Sequence, residues 1–429
     1  MPMKTNKLIL LAIAIIHQTV FAQKALHCLT NARIYAENGV IENGFITFQN
    51  GIIQQIGSMA EWKNPGTDAV VVDVKGQNVY PGFIALDSRV GLTEIDAVRA
   101  TRDFNEVGQF NPHVRTLIAY NTDSKIIETI RTNGVLVVQP APTGGRISGQ
   151  SSVFKLTGWN WEDAIISADD GYYINWPAAT ETTGWWAEPG EDRSNEQYLS
   201  QVRELEEYLL KAKAYSQAKN LPYDVRLTGL SALFTRKKRL YIRAYRAREI
   251  RDAVLMCKRL GIDKPVISGG WEADVVAEIL KEQNVPVILD RLTRLPDSRD
   301  AHVHSPFALP AVLDSLGVLF AFSYAGDMEA MGTRNLPFTA GMARGYGLKE
   351  TSALAAISLN AAKIAGIDHL VGSLKPGKRA FLFVNKGDAL EMITNNPSRI
   401  YIDGEEIRTT NFQTELYQLY LKKYNLDNP

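Results

Sequence analysis

The strongest constraint on the fold is an alternation of short apolar segments with longer amphipathic ones, which begins after Pro81-Gly82. The apolar segments have the length of strands, and the amphipathic segments have the 3.6-residue period of surface helices. The predicted strands are residues 83–86, 135–138, 240–244, 265–267, 285–289 and 318–322, and the predicted helices are residues 124–131, 197–219, 247–260, 272–283 and 349–364. Strands that alternate with helices build a parallel sheet with helical crossovers. The pattern therefore predicts an α/β protein with a closed (β/α)8 TIM-like barrel, and an open doubly wound sheet is the alternative.

The two ends of the chain follow a different rhythm of short strands and tight turns. Strands are predicted at residues 32–35, 44–48, 52–57, 70–72, 381–384 and 399–402. Asn50-Gly51 stands between two apolar runs, which is a strong hairpin signal. We expect residues 23–78 and 375–429 to form one small β domain, with the barrel of residues 79–374 inserted between its halves.

The first 22 residues have the pattern of a secretory signal peptide. Lys4 and Lys7 precede an apolar run over residues 8–16, and small residues precede a cleavage site after Ala22. A membrane anchor is the alternative, but the run is shorter than the ~20 residues that span a bilayer. The sequence therefore predicts an exported, periplasmic protein without an integral membrane segment.

The charge balance limits the kinds of partner to be expected, and the cysteine content limits the cross-links that could stabilise the fold. Lys plus Arg and Asp plus Glu both number 47, so no net field attracts nucleic acid or anionic lipid. A small molecule or a protein is the expected partner. Cys28 and Cys257 are the only cysteines, so a disulfide framework or a cysteine metal site is not expected.

Three segments carry a resemblance to a known family. Residues 79–84 (VYPGFI) lead into the first predicted barrel strand, residues 334–366 cover the last predicted helices, and residues 371–378 (VGSLKPGK) lead back to the β segments. In this order and spacing they resemble the amidohydrolase superfamily, especially its imidazolonepropionase-like branch. The resemblance implies a barrel with one or two divalent metals at its C-terminal mouth, where they polarise the substrate and activate water.

The first barrel strand departs from the pattern of that family. The family carries Asp-x-His-x-His there, and the matching positions here are Ala85, Asp87 and Arg89. Asp87 has oxygens to offer a metal, whereas Arg89 is a permanent cation without a lone pair. The strand ends near Arg243 and Ser268, where relatives often place further histidines, contain none. We therefore expect no metal centre, and zinc remains the alternative.

Two other places bear on the zinc alternative. The final ligand of the family is an aspartate after the last barrel strand, and Asp327 stands near that place, although a surface aspartate in a glycine turn is the other interpretation. His302 and His304 have a spacing that chelates zinc on a strand, but they follow a polar stretch typical of a loop.

The residue types at the predicted mouth give a candidate site. Candidate catalytic residues are Asp87, Tyr245 and Asp327, and candidate ligand-binding residues are Arg89, Arg146, Arg243, Ser268 and Glu272. A buried carboxylate beside an arginine serves as a general acid or base, or else as a static ion pair.

Two segments outside the predicted strands complete the analysis. Residues 143–152, which include Arg146, follow a strand and are expected to form a mouth loop suited to an anionic or polar ligand, or else a mobile loop. An insertion around residues 157–192 concentrates Trp159, Trp161, Trp176, Trp185 and Trp186. These tryptophans line a pocket, contact a partner, or pack the insertion against the barrel.

Three functional hypotheses follow. The first is a catalytically degenerate amidohydrolase-like protein that binds a small-molecule ligand or pairs with another subunit, such as an active paralogue. The second is an active hydrolase of carbon–nitrogen bonds of the cyclic amide type, with an atypical site. The third is a periplasmic binding module that uses the tryptophan-rich insertion.

Overall fold

A computed structural model describes residues 25–185, 188–235, 238–296, 301–326 and 329–426. The predicted signal peptide and its cleavage site lie outside these residues, as do Trp186 and Asp327. In the part of the chain that is described, no helix combines the length and the hydropathy that a membrane crossing requires.

Strands and helices alternate along most of the chain. The strands are β1 Leu26–Ala36, β2 Gly39–Gln49, β3 Ile52–Ser58, β4 Ala69–Asp73, β5 Asn78–Pro81, β6 Phe83–Ser88, β7 Val135–Pro140, β8 Ile147–Lys155, β9 Ile165–Asn175, β10 Thr180–Trp185, β11 Glu188–Ser194, β12 Arg239–Ala244, β13 Pro265–Gly269, β14 Val287–Leu289, β15 Phe320–Phe322, β16 Leu382–Asn385, β17 Pro397–Ile402 and β18 Glu405–Ile407. The helices are α1 Lys125–Arg131, α2 Trp161–Ala164, α3 Tyr198–Gln217, α4 Val225–Phe234, α5 Ala247–Leu260, α6 Ala277–Glu282, α7 Ser305–Leu316, α8 Glu329–Gly332, α9 Leu336–Gly345, α10 Glu350–Ala356, α11 Leu359–Ala365 and α12 Phe412–Lys423.

The central sheet is a nearly closed barrel of eight strands. Its order is β15-β14-β13-β12-β9-β8-β7-β6, and a parallel bridge between Leu86 and Ser323 brings the first and last strands together. The six predicted barrel strands correspond to β6, β7 and β12 to β15. Helices follow β12, β13 and β14, as a (β/α) barrel requires.

The barrel differs from the predicted (β/α)8 pattern at β8, which runs antiparallel to both β7 and β9. Residues 143–152 were expected to form a mouth loop, but Ile147–Lys155 is a strand whose residues are almost all buried. The segment is rich in serine and glycine, which favour turns. The pattern suggested that these polar side chains face solvent. Instead, the Ser151 hydroxyl is buried in the barrel and donates to Asp170 at 2.9 Å.

Helix α5 shows how the fold positions one side of the mouth. Its buried residues recur with the helical period and pack on the barrel: Glu249, Ile250, Ala253, Val254, Met256, Cys257 and Leu260. Glu249 lies in the first turn and accepts hydrogen bonds from the backbone N–H groups of Tyr245 and Arg246, at 3.0 and 3.2 Å. The helix ends at Gly261, which takes the left-handed conformation with φ of +71°. Glu249 therefore holds the short connection between β12 and α5.

A second sheet combines segments from both sides of the barrel in sequence. Its path is β18-β17-β16-β5-β1-β2-β3, with β4 paired to β1. The sheet has its own buried cluster, which includes Leu29, Phe48 and Tyr401. Tyr80 and Phe383 instead join the barrel core, where their rings stack 5.5 Å apart. The two sheets are therefore packed through aromatic contacts.

The tryptophan-rich segment is not one insertion, because its middle is the barrel strand β9. Trp176 is buried at the end of β9, and its indole N–H donates to the Tyr198 hydroxyl at 3.1 Å. Trp161 packs partly buried against the core, whereas Trp159 and Trp185 are exposed. The described tryptophans therefore do not share one surface.

Candidate active site

A cavity of about 240 Å3 opens at the C-terminal ends of the barrel strands. Its walls come from the ends of β6, β9, β12 and β13 and from the segments that follow β7, β14 and β15. The lining residues are Asp87, Arg89, Thr143, Asn175, Arg243, Tyr245, Ser268, Gly269, Asp290, Ala325, Gly326 and Glu329. The position is the one at which barrel folds place their functional groups.

The centre of the cavity floor is an ion pair between Asp87 and Arg243. Arg243 donates from Nε to one carboxylate oxygen at 3.1 Å and from a terminal nitrogen to the other at 2.5 Å. The Ser268 hydroxyl donates to the Asp87 carboxylate at 2.6 Å. All three side chains are buried or nearly so. Both oxygens of Asp87 are thus engaged by donors from β12 and β13.

Arg243 has further contacts that fix its orientation. It donates to the carbonyl of Pro142 at 2.9 Å, and its guanidinium lies 4.5 Å from the centre of the Tyr173 ring. Burial lowers the pKa of Arg243, but the neighbouring Asp87 carboxylate more than offsets this, so the pKa is raised. Arg243 is therefore a permanent cation at the base of the cavity.

A buried polar network holds the backbone of Asp87. Asp87 has a φ of +47°, a conformation that aspartate tolerates better than most residues, and its N–H donates to Gln139 Oε1 at 3.3 Å. Gln139 also accepts from the Tyr173 hydroxyl at 2.8 Å and donates to Asp170 at 2.7 Å. Asp170 accepts a third hydrogen bond, from Tyr241 at 2.8 Å. Burial raises the pKa of Asp170, and these donors oppose the shift.

A second ion pair, between Arg89 and Glu329, also lines the cavity. Arg89 Nε lies 2.5 Å from Glu329 Oε1, and its guanidinium lies over the Phe104 ring at 4.3 Å. Glu329 also accepts from the N–H of Gly326 at 2.7 Å. Burial raises the pKa of Glu329 to about 7, although Arg89 opposes this shift. The carboxyl is therefore divided between its protonated and charged forms near neutral pH.

Asp290 is a further carboxyl on the cavity wall, directly after β14. The indole N–H of Trp271 lies 2.9 and 2.8 Å from its two oxygens. Burial raises the pKa of Asp290 to about 6, against the effects of Trp271, Arg294 and Arg291. Tyr245 packs against Trp271 with ring centres 4.6 Å apart, and burial raises the pKa of its phenol to about 12.

The structure brings together most of the residues that the sequence suggested. Asp87, Arg89, Arg243, Tyr245 and Ser268 all line the cavity.

Two candidates lie elsewhere, and a third is not described. Arg146 does not line the cavity, but it donates to the backbone carbonyl of the lining residue Asn175 at 3.2 Å. Glu272 is not among the lining residues and instead accepts from the N–H of Ala247 at 2.7 Å and from Arg246 at 3.3 Å. Its role in the structure is to hold the start of α5. Asp327 lies outside the described residues.

Sequence reasoning missed Asp290, Glu329 and Asn175. Asp290 carried a usable signal, because it is the first residue after a predicted strand. Glu329 carried none, since it reaches the cavity only through the turn that follows β15.

The described residues do not fit a zinc centre. No group of three or more His, Cys, Asp or Glu side chains in the described ranges is arranged to hold a metal ion. The cavity lining includes no histidine, and the oxygens of Asp87 are engaged by Arg243 and Ser268. His302 and His304 lie in the turn before α7, where the N–H of His304 donates to His302 Nδ1 at 3.2 Å.

Comparison with known proteins relates the fold to one family. The sequence model of the Amidohydrolase family matches residues 235–407. No curated protein matches the chain. The crystal structure of an amidohydrolase from Thermotoga maritima MSB8 is 25% identical, with a TM-score of 0.77, and the match covers 89% of this chain and 99% of that one.

More distant structures share the fold. A putative prolidase from Bifidobacterium longum is 14% identical with a TM-score of 0.53, over 94% of this chain and 100% of that one. An adenosine deaminase from Xanthomonas campestris, described with bound zinc, is 14% identical with a TM-score of 0.53, over 93% and 97%. The chain therefore has the fold of the amidohydrolases.

Proposed function

We propose that this amidohydrolase-fold protein is catalytically degenerate and binds a small polar molecule at the barrel mouth without a metal. The observation that carries the proposal is the Asp87–Arg243 pair. The Asp87 carboxylate faces the cavity, but it is neutralised by a guanidinium at 2.5 Å and accepts a hydrogen bond from a hydroxyl at 2.6 Å, so it is not free to bind a cation. Arg89 adds a second positive charge on the same wall.

The cavity chemistry indicates the class of ligand. Arg89 is a quarter exposed and presents guanidinium N–H groups, and Thr143 and Asn175 add uncharged polar groups. Guanidinium groups bind carboxylates and other planar acceptors through paired hydrogen bonds. A small molecule with an acceptor group such as a carboxylate fits this wall. A subunit that pairs with an active paralogue remains compatible with the same degenerate site.

Export is part of the proposal. The pattern of Lys4, Lys7 and the apolar run over residues 8–16 supports secretion to the periplasm with cleavage after Ala22. Determination of the N-terminal residue of protein isolated from the periplasmic fraction tests this part by itself.

Elemental analysis of protein purified without chelators tests the degenerate site. We expect substoichiometric metal and no hydrolysis of cyclic amides or dipeptides, whether or not zinc is added. An Arg89→His/Arg243→His variant is a useful companion, because gain of zinc binding would show that the arginines exclude the ion. One or two equivalents of tightly bound metal in the wild-type protein, together with hydrolysis, would refute the proposal.

A second candidate function rests on Asp290. Burial gives this carboxyl a pKa of about 6 inside the same cavity, which suits a general acid or base near neutral pH. The alternative is therefore an active, metal-independent hydrolase of carbon–nitrogen bonds of the cyclic amide type. Activity that persists in chelator and falls by about a hundredfold or more in Asp290→Asn would favour it. Equal residual activity in the wild-type and Asp290→Asn proteins would exclude it.

A further inference from the structure

The C-terminal helix α12 exposes an unusual amount of apolar surface. Seven large apolar side chains within and just after it are exposed: Phe412, Leu416, Tyr417, Leu419, Tyr420, Tyr424 and Leu426. None of these residues lines the barrel-mouth cavity. Its surface is therefore independent of the site described above.

These side chains include a continuous stripe. Phe412, Leu416 and Leu419 are four and three residues apart, and Lys423 continues the series after four more. Spacings of four and three residues place side chains on one face of a helix, and this is the spacing of the seam in a two-stranded coiled coil. Leu421, which is buried, points to the opposite side. The stripe therefore faces away from the body of the protein.

The attachment of α12 to its own chain is slight. Leu421 is its buried residue, the Thr129 hydroxyl donates to Gln413 at 3.1 Å, and Asn411 caps the first turn by accepting from the N–H of Thr414 at 2.9 Å. Helices of this length gain most of their stability from packing of an apolar face. A helix with one buried residue and an exposed stripe needs a further surface to cover it.

We propose that α12 pairs with α12 of a second copy of this chain in an antiparallel, two-fold symmetric contact. In such a pair Leu416 of one copy packs against Leu419 of the other, and two-fold symmetry repeats the contact. Phe412 meets the aliphatic stem of Lys423. The stripe of each copy is thus covered by the stripe of the other copy.

Charge selects the second copy and the antiparallel direction. Glu415 lies beside the stripe near the start of the helix, and Lys422 lies on the same side near its end. The antiparallel arrangement places Glu415 of each copy beside Lys422 of the other. A parallel pair would place Glu415 beside Tyr420 of the other copy and would leave it without a partner of opposite charge.

The contact is small, so the dimer is weak. A pair of helices with three turns each buries less than the ~1,200 Å2 of a standard interface. The loop that carries the exposed Met392 and Ile393 is anchored near the start of α12, because Asn395 donates to the carbonyl of Asn133 at 3.4 Å and Asn411 donates to the adjacent Thr132 at 3.2 Å. Association is therefore expected to depend on protein concentration.

Sedimentation of the mature full-length chain over a range of concentrations tests the proposal. The wild-type protein is expected to pass from monomer to dimer, and Leu419→Glu to weaken association at least about tenfold, because the glutamate places a charge in the seam. Leu199→Glu is the matched control, since Leu199 is on α3 and is 64% exposed, compared with 63% for Leu419. This control is expected to dimerise like the wild type.

A charge reversal tests the direction of the pair. Glu415→Lys and Lys422→Glu are each expected to weaken the dimer, and the double variant Glu415→Lys/Lys422→Glu to restore it. Circular dichroism of each variant at the same concentration verifies that the fold is retained.

Three results would overturn the proposal. They are a wild-type chain that stays monomeric at all concentrations, a dimer that survives Leu419→Glu, and a double variant no better than either single one. Binding of the monomeric wild-type chain to vesicles of anionic phospholipid, abolished by Leu419→Glu, would assign the stripe to a membrane surface instead.

Discussion

The two ion pairs at the barrel mouth have the same chemical types but differ in how their charges are held. Asp87 receives two hydrogen bonds from Arg243 and one from Ser268, and the backbone of Asp87 is fixed by Gln139. Glu329 is as deeply buried but has one close arginine, and burial raises its pKa to about 7. Glu329 can therefore bind a proton near neutral pH.

This contrast shows that the number of hydrogen-bond donors, and not burial alone, distinguishes the two carboxyl groups. The Asp87 side of the mouth is a fixed electrostatic element. The Glu329 and Asp290 side responds to pH in the neutral range. A ligand that exchanges a proton or an acceptor with the protein would do so on that second side.

The largest expected effect is on the Asp87 side. Arg243→Met leaves the buried Asp87 carboxylate without its main partner and is expected to reduce the free energy of unfolding by about 3–5 kcal/mol. Urea denaturation at neutral pH measures the loss. The double variant Asp87→Asn/Arg243→Met removes the stranded charge and is expected to recover part of it. A loss below about 1 kcal/mol in the single variant would mean that the pair is not a fixed element.

A slightly smaller effect is expected in the pH dependence of stability. The folded-state pKa of Glu329 is raised to about 7 from an ordinary value of 4.5, so its stabilising contribution is complete below about pH 4.5 and is lost as the pH rises through 7. The total change is up to roughly 3 kcal/mol. Asp290 acts in the same direction between about pH 4 and 6. Unfolding measured from pH 4.5 to 8 is expected to show a smaller decline in Glu329→Gln than in the wild type.

An exposed glutamate provides the control for that measurement. Glu278→Gln, on the exposed face of α6, is expected to leave the pH profile unchanged. If the free energy of unfolding of the wild type does not change between pH 4.5 and 8, the proposed difference between the two ion pairs is wrong.

A moderate effect is expected when the second arginine is removed. Arg89→Met is expected to cost roughly 1–2 kcal/mol at pH 6, because Glu329 neutralises itself by keeping a proton and the methionine still covers Phe104. The loss is thus smaller than that in Arg243→Met under the same conditions. Equal losses in the two variants would contradict the distinction.

The smallest expected effect tests a single donor to Asp87. Ser268→Ala removes the 2.6 Å hydrogen bond but leaves both bonds from Arg243, so a loss of about 1 kcal/mol is expected. Ser315→Ala on α7 is the control, since its hydroxyl donates only within the exposed helix, to Val312. Thermal unfolding of both variants at one pH is sufficient to compare them.

Regular elements of the fold were predictable because their apolar pattern is local. The strands β12 to β15 and helix α5 follow directly from short apolar runs and a 3.6-residue period. The strand β8 was not predictable in the same way, because Ser148, Ser151 and Ser152 are polar in composition but buried in fact. Their hydrogen-bond partners lie on the neighbouring strands β7 and β9, and no local pattern records them.

The helix predicted over residues 349–364 illustrates a second limit. It is divided into α10 and α11 at Ile357 and Ser358. The carbonyl of Ile357 accepts from the N–H of Ile84 at 2.8 Å, and so it supports the first barrel strand. A tertiary hydrogen bond therefore interrupts a segment whose sequence alone favours one helix.

The candidate site was predictable where residues alternate at a strand end. Asp87, Arg243 and Ser268 follow from the position of the strands and from the expectation that strand ends meet at the mouth. Glu329 and the support by Gln139 and Asp170 depend on packing across the barrel. The charge state of Asp290 could not be predicted from the sequence either, because its raised pKa results from burial in the folded chain.

The strand that carries Asp87 and Arg89 also lies at the weakest line of the barrel wall. Between β6 and β15 the backbone ladder is reduced to the bridge of Leu86 with Ser323, while β6 pairs over several residues with β7. Amide hydrogens along that line are the ones expected to exchange early with solvent, before those of the β12–β13 pair. Asp87 and the adjacent Arg89 therefore lie beside the gap between β6 and β15. A ligand that binds both Arg89 and the residues after β15 would hold the two strands together.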